Sequence, residues 1–228
     1  MKTFIGFLLM ISSLASSAQD NTTNEDWAQL KKYAAQNKKL SPPAKKEQRV
    51  VFMGNSITEF WKSDRPFFST TYINRGISGQ TTSQMLMRFR QDVIDLKPAV
   101  VVILGGINDI AQNQGPVSLE QTFKNIVAMA TLAKKHKIRV ILSSVLPAYD
   151  FSWRPGLLPA PKIKKLNAMI STYCLKNKIP YVDYYAAMVD QRGGLKKIFS
   201  EDGVHPNVAG YKVMEPLVNK SVKEILQR

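Results

Sequence analysis

"VVFMGNSITEFW", residues 50–61, carries an apolar run, Val50 to Met53, into Gly54 and then sets Asn55, Ser56 and Thr58 in quick succession. An unbroken apolar run that stops on a glycine reads as a strand covered on both faces, the habit of parallel sheets. The serine just past it has two readings. As a helix N-cap it would accept hydrogen bonds from the first free N–H groups. As a nucleophile it would stand where open parallel sheets bind their ligands, outside the carboxyl ends of the strands.

The flanking sequence repeats the pattern. Strand-type runs "TTYINRGISG" (70–79), "AVVVILGG" (99–106), "RVILSSVLP" (139–147) and a short "YVDYY" (181–185) alternate with amphipathic stretches at 83–96, 119–137, 162–178 and 208–226. In the first of these, Met85, Leu86, Phe89, Val93 and Leu96 share one helical face. Such alternation calls for parallel strands with crossover helices on both faces, a three-layer α/β/α sandwich. One more helix is expected over 25–40, where Trp27, Leu30, Tyr33 and Ala34 recur at helical spacing before Ser41-Pro42-Pro43 ends the run.

The first eighteen residues have the layout of a signal peptide: Lys2, an apolar run from Phe4 to Leu9, then the small-x-small end Ser16-Ser17-Ala18. The expected organisation is therefore a leader over 1–18, a helical extension over 19–48 and the main α/β domain over 49–228, exported to the periplasm or the medium, with no membrane span. A single cysteine, Cys174, allows no intrachain disulfide and sits at helical spacing as a small buried hydrophobe. One Cys and two His make no credible metal set, and no cofactor is called for. The balance of 32 Lys+Arg against 17 Asp+Glu, net +15, lies mostly in dispersed lysine pairs such as Lys134-Lys135 and Lys164-Lys165. A field of that sign favours anionic partners such as acidic polysaccharide. Nucleic acid is the weaker option and no such partner is expected, because no basic stripe is interleaved with stacking aromatics.

The strand ends carry the chemistry. The first delivers "MGNSIT" (53–58), the second "NRGISGQTT" (74–82), the third "GGIND" (105–109), and "DGVHP" (202–206) precedes the last helix. Each motif is weak alone, since turns and caps use the same residues. Together and in this order they resemble the SGNH (GDSL-type) hydrolase family of esterases and lipases, over about residues 49–215. The resemblance implies a flavodoxin-like fold, Ser56 as nucleophile, Gly79 and Asn108 as oxyanion donors, and Asp202 and His205 as the remaining triad members. Two positions depart from the family pattern: Asn55 and Gln80 stand where Asp is usual, each keeping hydrogen-bonding ability and losing a charge.

The chemistry of the residues agrees. A serine hydroxyl needs a neutral imidazole to take its proton, and the chain has only His136 and His205. His136 lies in "AKKHK" at a helix end, where a solvated cap is expected, which leaves His205 as the base. Asp202, three residues earlier, can accept the other ring N–H and fix its tautomer. Glycine at 79 lets a main-chain N–H approach a developing oxyanion; Asn108 adds an amide N–H and Ser56 its own. The loop "AYDFSWRPGLLPAP" (148–161) offers Tyr149, Trp153 and Arg154 either as walls of a substrate pocket or as aromatics packed on the core. The expected activity is hydrolysis of a short O-acyl ester, acetyl first, carried by a small acyl ester or an acylated carbohydrate. The alternatives are a lysophospholipase or platelet-activating-factor acetylhydrolase-like lipid esterase, and an O-acyltransferase with the same triad.

Overall fold

Five strands, β1 (Val50–Gly54), β2 (Tyr72–Gly76), β3 (Val100–Leu104), β4 (Arg139–Ser143) and β5 (Tyr181–Val182), form one parallel sheet of order β2-β1-β3-β4-β5. The structure is a computed structural model that describes residues 26–63 and 66–227, so the leader expected over 1–18 lies outside the described residues. Every residue of β1 and β3 is buried, as their unbroken apolar runs require. This is the flavodoxin-like strand order, whose direction reverses between β1 and β3 and opens a crevice there.

Helices cover both faces. On one, α1 (Lys31–Lys39) packs on α3 (Thr82–Asp92), α3 on α5 (Leu119–Lys135), and α5 on α6 (Pro159–Asn177). On the other, α8 (Val208–Leu226) covers β4 and β5 and packs against α7 (Tyr184–Met188). Cys174 is buried in α6, where desolvation pushes its thiol up to about 12 and leaves it inert. Among the described residues no helix is long and apolar enough to cross a membrane.

Three expectations are revised. The N-terminal helix is shorter than 25–40: a turn at 26–28 precedes α1, and Asp26 accepts from the N–H groups of Leu30 and Lys31. The stretch 83–96 is not one helix. Thr81 and Gln84 form a reciprocal capping box at the start of α3, and the chain leaves the α conformation at Val93 for a 3-10 turn over Ile94–Leu96. In "YVDYY" only Tyr181 and Val182 pair as strand, because the Asp183 carboxylate accepts the Ala186 N–H (3.0 Å) and starts α7.

Two short helices that hydropathy does not announce follow the central strands: α2 (Ser56–Glu59) after β1 and α4 (Ile107–Ile110) after β3. Helix α2 folds back over the ends of β1 and β2, and Gly76 admits it. A Cβ at Gly76 would stand 2.2 Å from the Glu59 nitrogen and 2.7 Å from the Asn55 carbonyl oxygen, both backbone atoms. Tyr211 of α8 holds α2 from the other side, donating to the Ile57 carbonyl (2.7 Å). Gly76→Ala should therefore push α2 off the sheet, at a cost of about 1–3 kcal/mol in stability. Urea unfolding would show the lowered midpoint, with ester hydrolysis falling as Ser56 moves.

Candidate active site

In the register of the sheet Gly54 lies beside Gly76 on one side and Leu104 on the other. The segments leaving β1, β2 and β3 therefore emerge at one edge, and they carry Ser56, Gly79 and Asn108. Ser56 is the first residue of α2. Its hydroxyl does not cap that helix, because the Asn55 side chain does so, accepting the Ile57 N–H at 3.0 Å. The serine Oγ lies instead 2.9 Å from His205 Nε2. His205 Nδ1 lies 2.6 Å from Asp202 Oδ2.

The turn that carries His205 and Asp202 leads into α8, whose N-cap Asn207 accepts from the Gly210 N–H. Asp202 Oδ1 accepts the N–H groups of Val204 (2.9 Å) and His205 (2.8 Å) and the Ser200 hydroxyl (3.0 Å). Desolvation works to raise the Asp202 carboxyl, but the hydrogen bonds from the His205 ring, the His205 N–H and the Val204 N–H outweigh it and bring it down to about 2. The carboxylate therefore stays charged in acid and can hold the imidazole with Nδ1–H toward itself and Nε2 toward Ser56. His136, by contrast, is the exposed C-cap of α5.

The loop after β2 is pinned from several directions. Ser78 N–H donates to Glu59 (2.6 Å), and Asn113 donates to the Gly79 carbonyl (3.2 Å). Gly79 itself has φ +75, a left-handed conformation that glycine adopts without strain. Asn108 Nδ2 donates to the Gln80 carbonyl (2.9 Å). Among the described residues, the main-chain N–H groups of Ser56 and Gly79 donate to no other group. Asp109, beside Asn108, is buried and accepts the Thr82 N–H (2.9 Å) and hydroxyl (2.6 Å), locking α4 to the start of α3.

Under this edge lies a residue that motif reasoning missed. Arg88 is fully buried on α3 and donates to Asp92 (3.0 Å), to the Gly54 carbonyl (2.8 Å) and to the Gln80 side chain (2.5 Å). In the sequence it reads as one polar residue of an amphipathic helix. Only its spacing to Asp92, a possible i,i+4 pair, could have hinted at the partnership.

The loop 148–161 divides between its two readings. Phe151 is buried in the core, and Trp153 stacks on it with ring centroids 5.1 Å apart. Trp153 also faces His205, ring to ring at 6.5 Å, and Phe60 flanks the imidazole at 6.0 Å. Both are about half exposed, Trp153 at 48% and Phe60 at 47%. Arg154 does not turn its Nη1 to the site, since that group donates to the carbonyls of Ala111 (3.0 Å) and Gln112 (2.6 Å) and ties the loop to α4. Tyr149 lies under the Arg192 guanidinium at 4.9 Å. Trp153 is thus brought to the imidazole, whereas Arg154 and Tyr149 make their contacts elsewhere. Phe60 was not anticipated, being an apolar residue two positions beyond the "MGNSIT" motif. Among the described residues no group of three or more His, Cys, Asp or Glu side chains could hold a metal ion.

A hydroxyl, an imidazole and a carboxylate in hydrogen-bonded series, past the strand ends of a parallel sheet, make a site for acyl transfer. Residues 52–213 match the GDSL-like lipase/acylhydrolase family, and the chain belongs to that family. It is a carboxylic ester hydrolase. A GDSL-like lipase from Bacteroides thetaiotaomicron is 51% identical, with TM-score 0.83, over 86% of this chain and 98% of that one. Esterase TesA of Pseudomonas aeruginosa is 26% identical over 154 residues, 68% of this chain and 70% of TesA. Lipoprotein YqeF of Bacillus subtilis is 37% identical over 81 residues, so the match spans 34% of this chain and only 33% of YqeF.

The lowered Asp202 carboxyl makes a prediction about acid stability. A carboxyl held below its usual value contributes stability that is present above the unfolded-state range and is lost as pH falls through the folded value. The contribution should therefore disappear between the ordinary 3.8 and about 2. Urea titrations in that window should show wild type losing stability more steeply than Asp202→Asn; parallel curves would refute the assignment.

Proposed function

We propose that the protein is an exported serine esterase that removes short O-acyl groups, acetyl first, from carbohydrate. The Ser56–His205–Asp202 hydrogen-bond series carries this reading. His205 Nε2 takes the Ser56 proton as Oγ adds to the ester carbonyl carbon. Negative charge then develops on the carbonyl oxygen, where the N–H groups of Ser56 and Gly79 and the free amide hydrogen of Asn108 receive it. Donors of this kind are worth roughly 3–4 kcal/mol each in related chemistry. The imidazolium gives its proton to the leaving alkoxide, the sugar departs, and water, deprotonated by the same imidazole, releases the acid. The base must be neutral to begin, so kcat/KM should fall on the acid side.

Carbohydrate is favoured by the rim. Exposed faces of Trp153 and Phe60 beside the imidazole suit the apolar face of a sugar ring, and the net charge of +15 favours an anionic polymer. Export rests on the leader-like sequence of residues 1–18.

Ser56→Ala and His205→Ala should each lower kcat/KM by about a thousandfold or more with the circular dichroism spectrum unchanged, while His136→Ala should stay near wild type. Turnover like wild type in folded Ser56→Ala would remove the nucleophile.

Among p-nitrophenyl esters, acetate should exceed octanoate, and Trp153→Ala should raise KM for an acetylated oligosaccharide about tenfold while sparing p-nitrophenyl acetate. An octanoate preference would promote a lipid-directed esterase. Acyl transfer to a sugar faster than to water would promote the acyltransferase.

A further inference from the structure

Gln80 is one of the two positions where the chain departs from its family's pattern, and the tertiary structure surrounds it completely. The residue is buried, with 1% of its surface exposed. Its side-chain oxygen accepts Arg88 Nε (2.5 Å), and its side-chain nitrogen donates to the Ala28 carbonyl (2.7 Å). Its main-chain carbonyl accepts one amide hydrogen of Asn108 (2.9 Å). Its main-chain N–H belongs to the turn after β2, donating to Ile77 (3.4 Å), and Gly79 immediately precedes it.

We propose that Gln80 is the positioning residue of the oxyanion site, setting the geometry of two donors at once. Its side-chain bonds anchor the chain at residue 80, and together with the Asn113 bond to the Gly79 carbonyl they limit the turn that aims the Gly79 N–H. Its carbonyl occupies one Asn108 hydrogen and thereby orients the other. The inference rests on reading Gly79 and Asn108 as oxyanion donors. Gln80 touches no reacting atom and acts only through these two.

The amide is the group that fits. One side must accept from a guanidinium and the other must donate to a carbonyl, and an amide does both. A glutamate carboxylate of the same length would accept from Arg88 but would set an oxygen against the Ala28 carbonyl with no hydrogen between them, and the Asp usual in the family is one methylene shorter. The Ala28 carbonyl comes from the segment ahead of α1, which also supplies the Trp27 carbonyl to Gln84 (2.8 Å) and the Leu30 carbonyl to Gln91 (2.7 Å). Gln80 thus matches a bond that this N-terminal segment offers.

The test compares the full chain with Gln80→Met, Gln80→Glu, Asn108→Ala and the Gln80→Met/Asn108→Ala double variant. For each, kcat and KM are measured on p-nitrophenyl acetate, together with the Ki of a boronic acid that forms a tetrahedral adduct on the serine. Gln80→Met should lower kcat about 10–100-fold with KM within about threefold, and Ki should rise by a similar factor. Gln80→Glu should not rescue, despite the better charge match to Arg88. The double variant should lose less than the product of the two single losses, because part of each loss passes through the same Asn108 hydrogen.

If Gln80→Met only lowers the melting temperature, and folded enzyme keeps kcat and Ki within twofold of wild type, Gln80 is merely structural and the proposal fails. Full rescue by Gln80→Glu, or strictly multiplicative losses, also overturns it. Should Gln80→Met not give folded protein, Gln80→Glu carries the same test, since it keeps the shape and the acceptor for Arg88. Wild-type kcat in Asn108→Ala would instead sink the underlying reading of the oxyanion donors, an outcome distinct from failure of the Gln80 variants alone.

Discussion

A guanidinium with no access to water cannot be left without partners, and Arg88 is such a group. Desolvation works against its charge, and the Asp92 carboxylate 3.0 Å away is the main counterweight. Breaking a buried pair of this kind costs about 3–5 kcal/mol, because the remaining charge has nowhere to go. Arg88 Nη2 donates to the Gly54 carbonyl, at the end of β1, and its Nε to Gln80, in the loop after β2. One electrostatic requirement therefore binds α3, the strand before the serine and the loop after β2 into a single arrangement. The functional edge inherits that rigidity, which acyl transfer needs, since donors act best when they are already aimed before charge develops.

The same ion pair recruits the N-terminal segment. Asn37 of α1 donates to Asp92 (2.6 Å) and accepts from Arg75, Tyr33 donates to the Gly76 carbonyl, and Lys32 pairs with Glu59 (2.8 Å). Glu59 in turn holds the Ser78 N–H. Residues 26–40 therefore fill the polar groups behind the site and serve as part of its scaffold.

The two sides of the site differ in burial. Ser56, Asn108 and Gln80 are buried among main-chain bonds, whereas His205 and Asp202 sit on a turn with side chains 32% and 43% exposed. The dense hydrogen bonding of Asp202 compensates for that exposure. Asn55, in the position of the family's usual Asp, keeps only half of its amide in use. Its oxygen caps α2, and its buried nitrogen has no hydrogen-bond partner among the described residues.

Much of the architecture could be read along the chain, because burial leaves a local trace. Unbroken runs such as Val100–Leu104 announced the parallel strands, and the short motifs at their ends announced Ser56, Gly79, Asn108, Asp202 and His205. Glycines and turn formers at strand ends are dictated by local geometry, which a linear sequence records. The short helix α2 was hidden because only the space left by Gly76 permits it, and Arg88 because two of its three partners lie 8 and 34 positions away, in the loop after β2 and at the end of β1. Arg154 and Trp153 are neighbours in one loop, and nothing local distinguishes a residue that ties the loop to α4 from one that faces the imidazole. The sequence by itself determined the layers and the polar residues that gather past the strand ends, since hydropathy period and residue chemistry are properties of the chain. Which polar residues became buried supports, and how the N-terminal segment joined them, was decided only by the tertiary structure, where removal from water favours partners far apart in the chain, as Arg88 finds in Gly54 and Asn37 in Asp92.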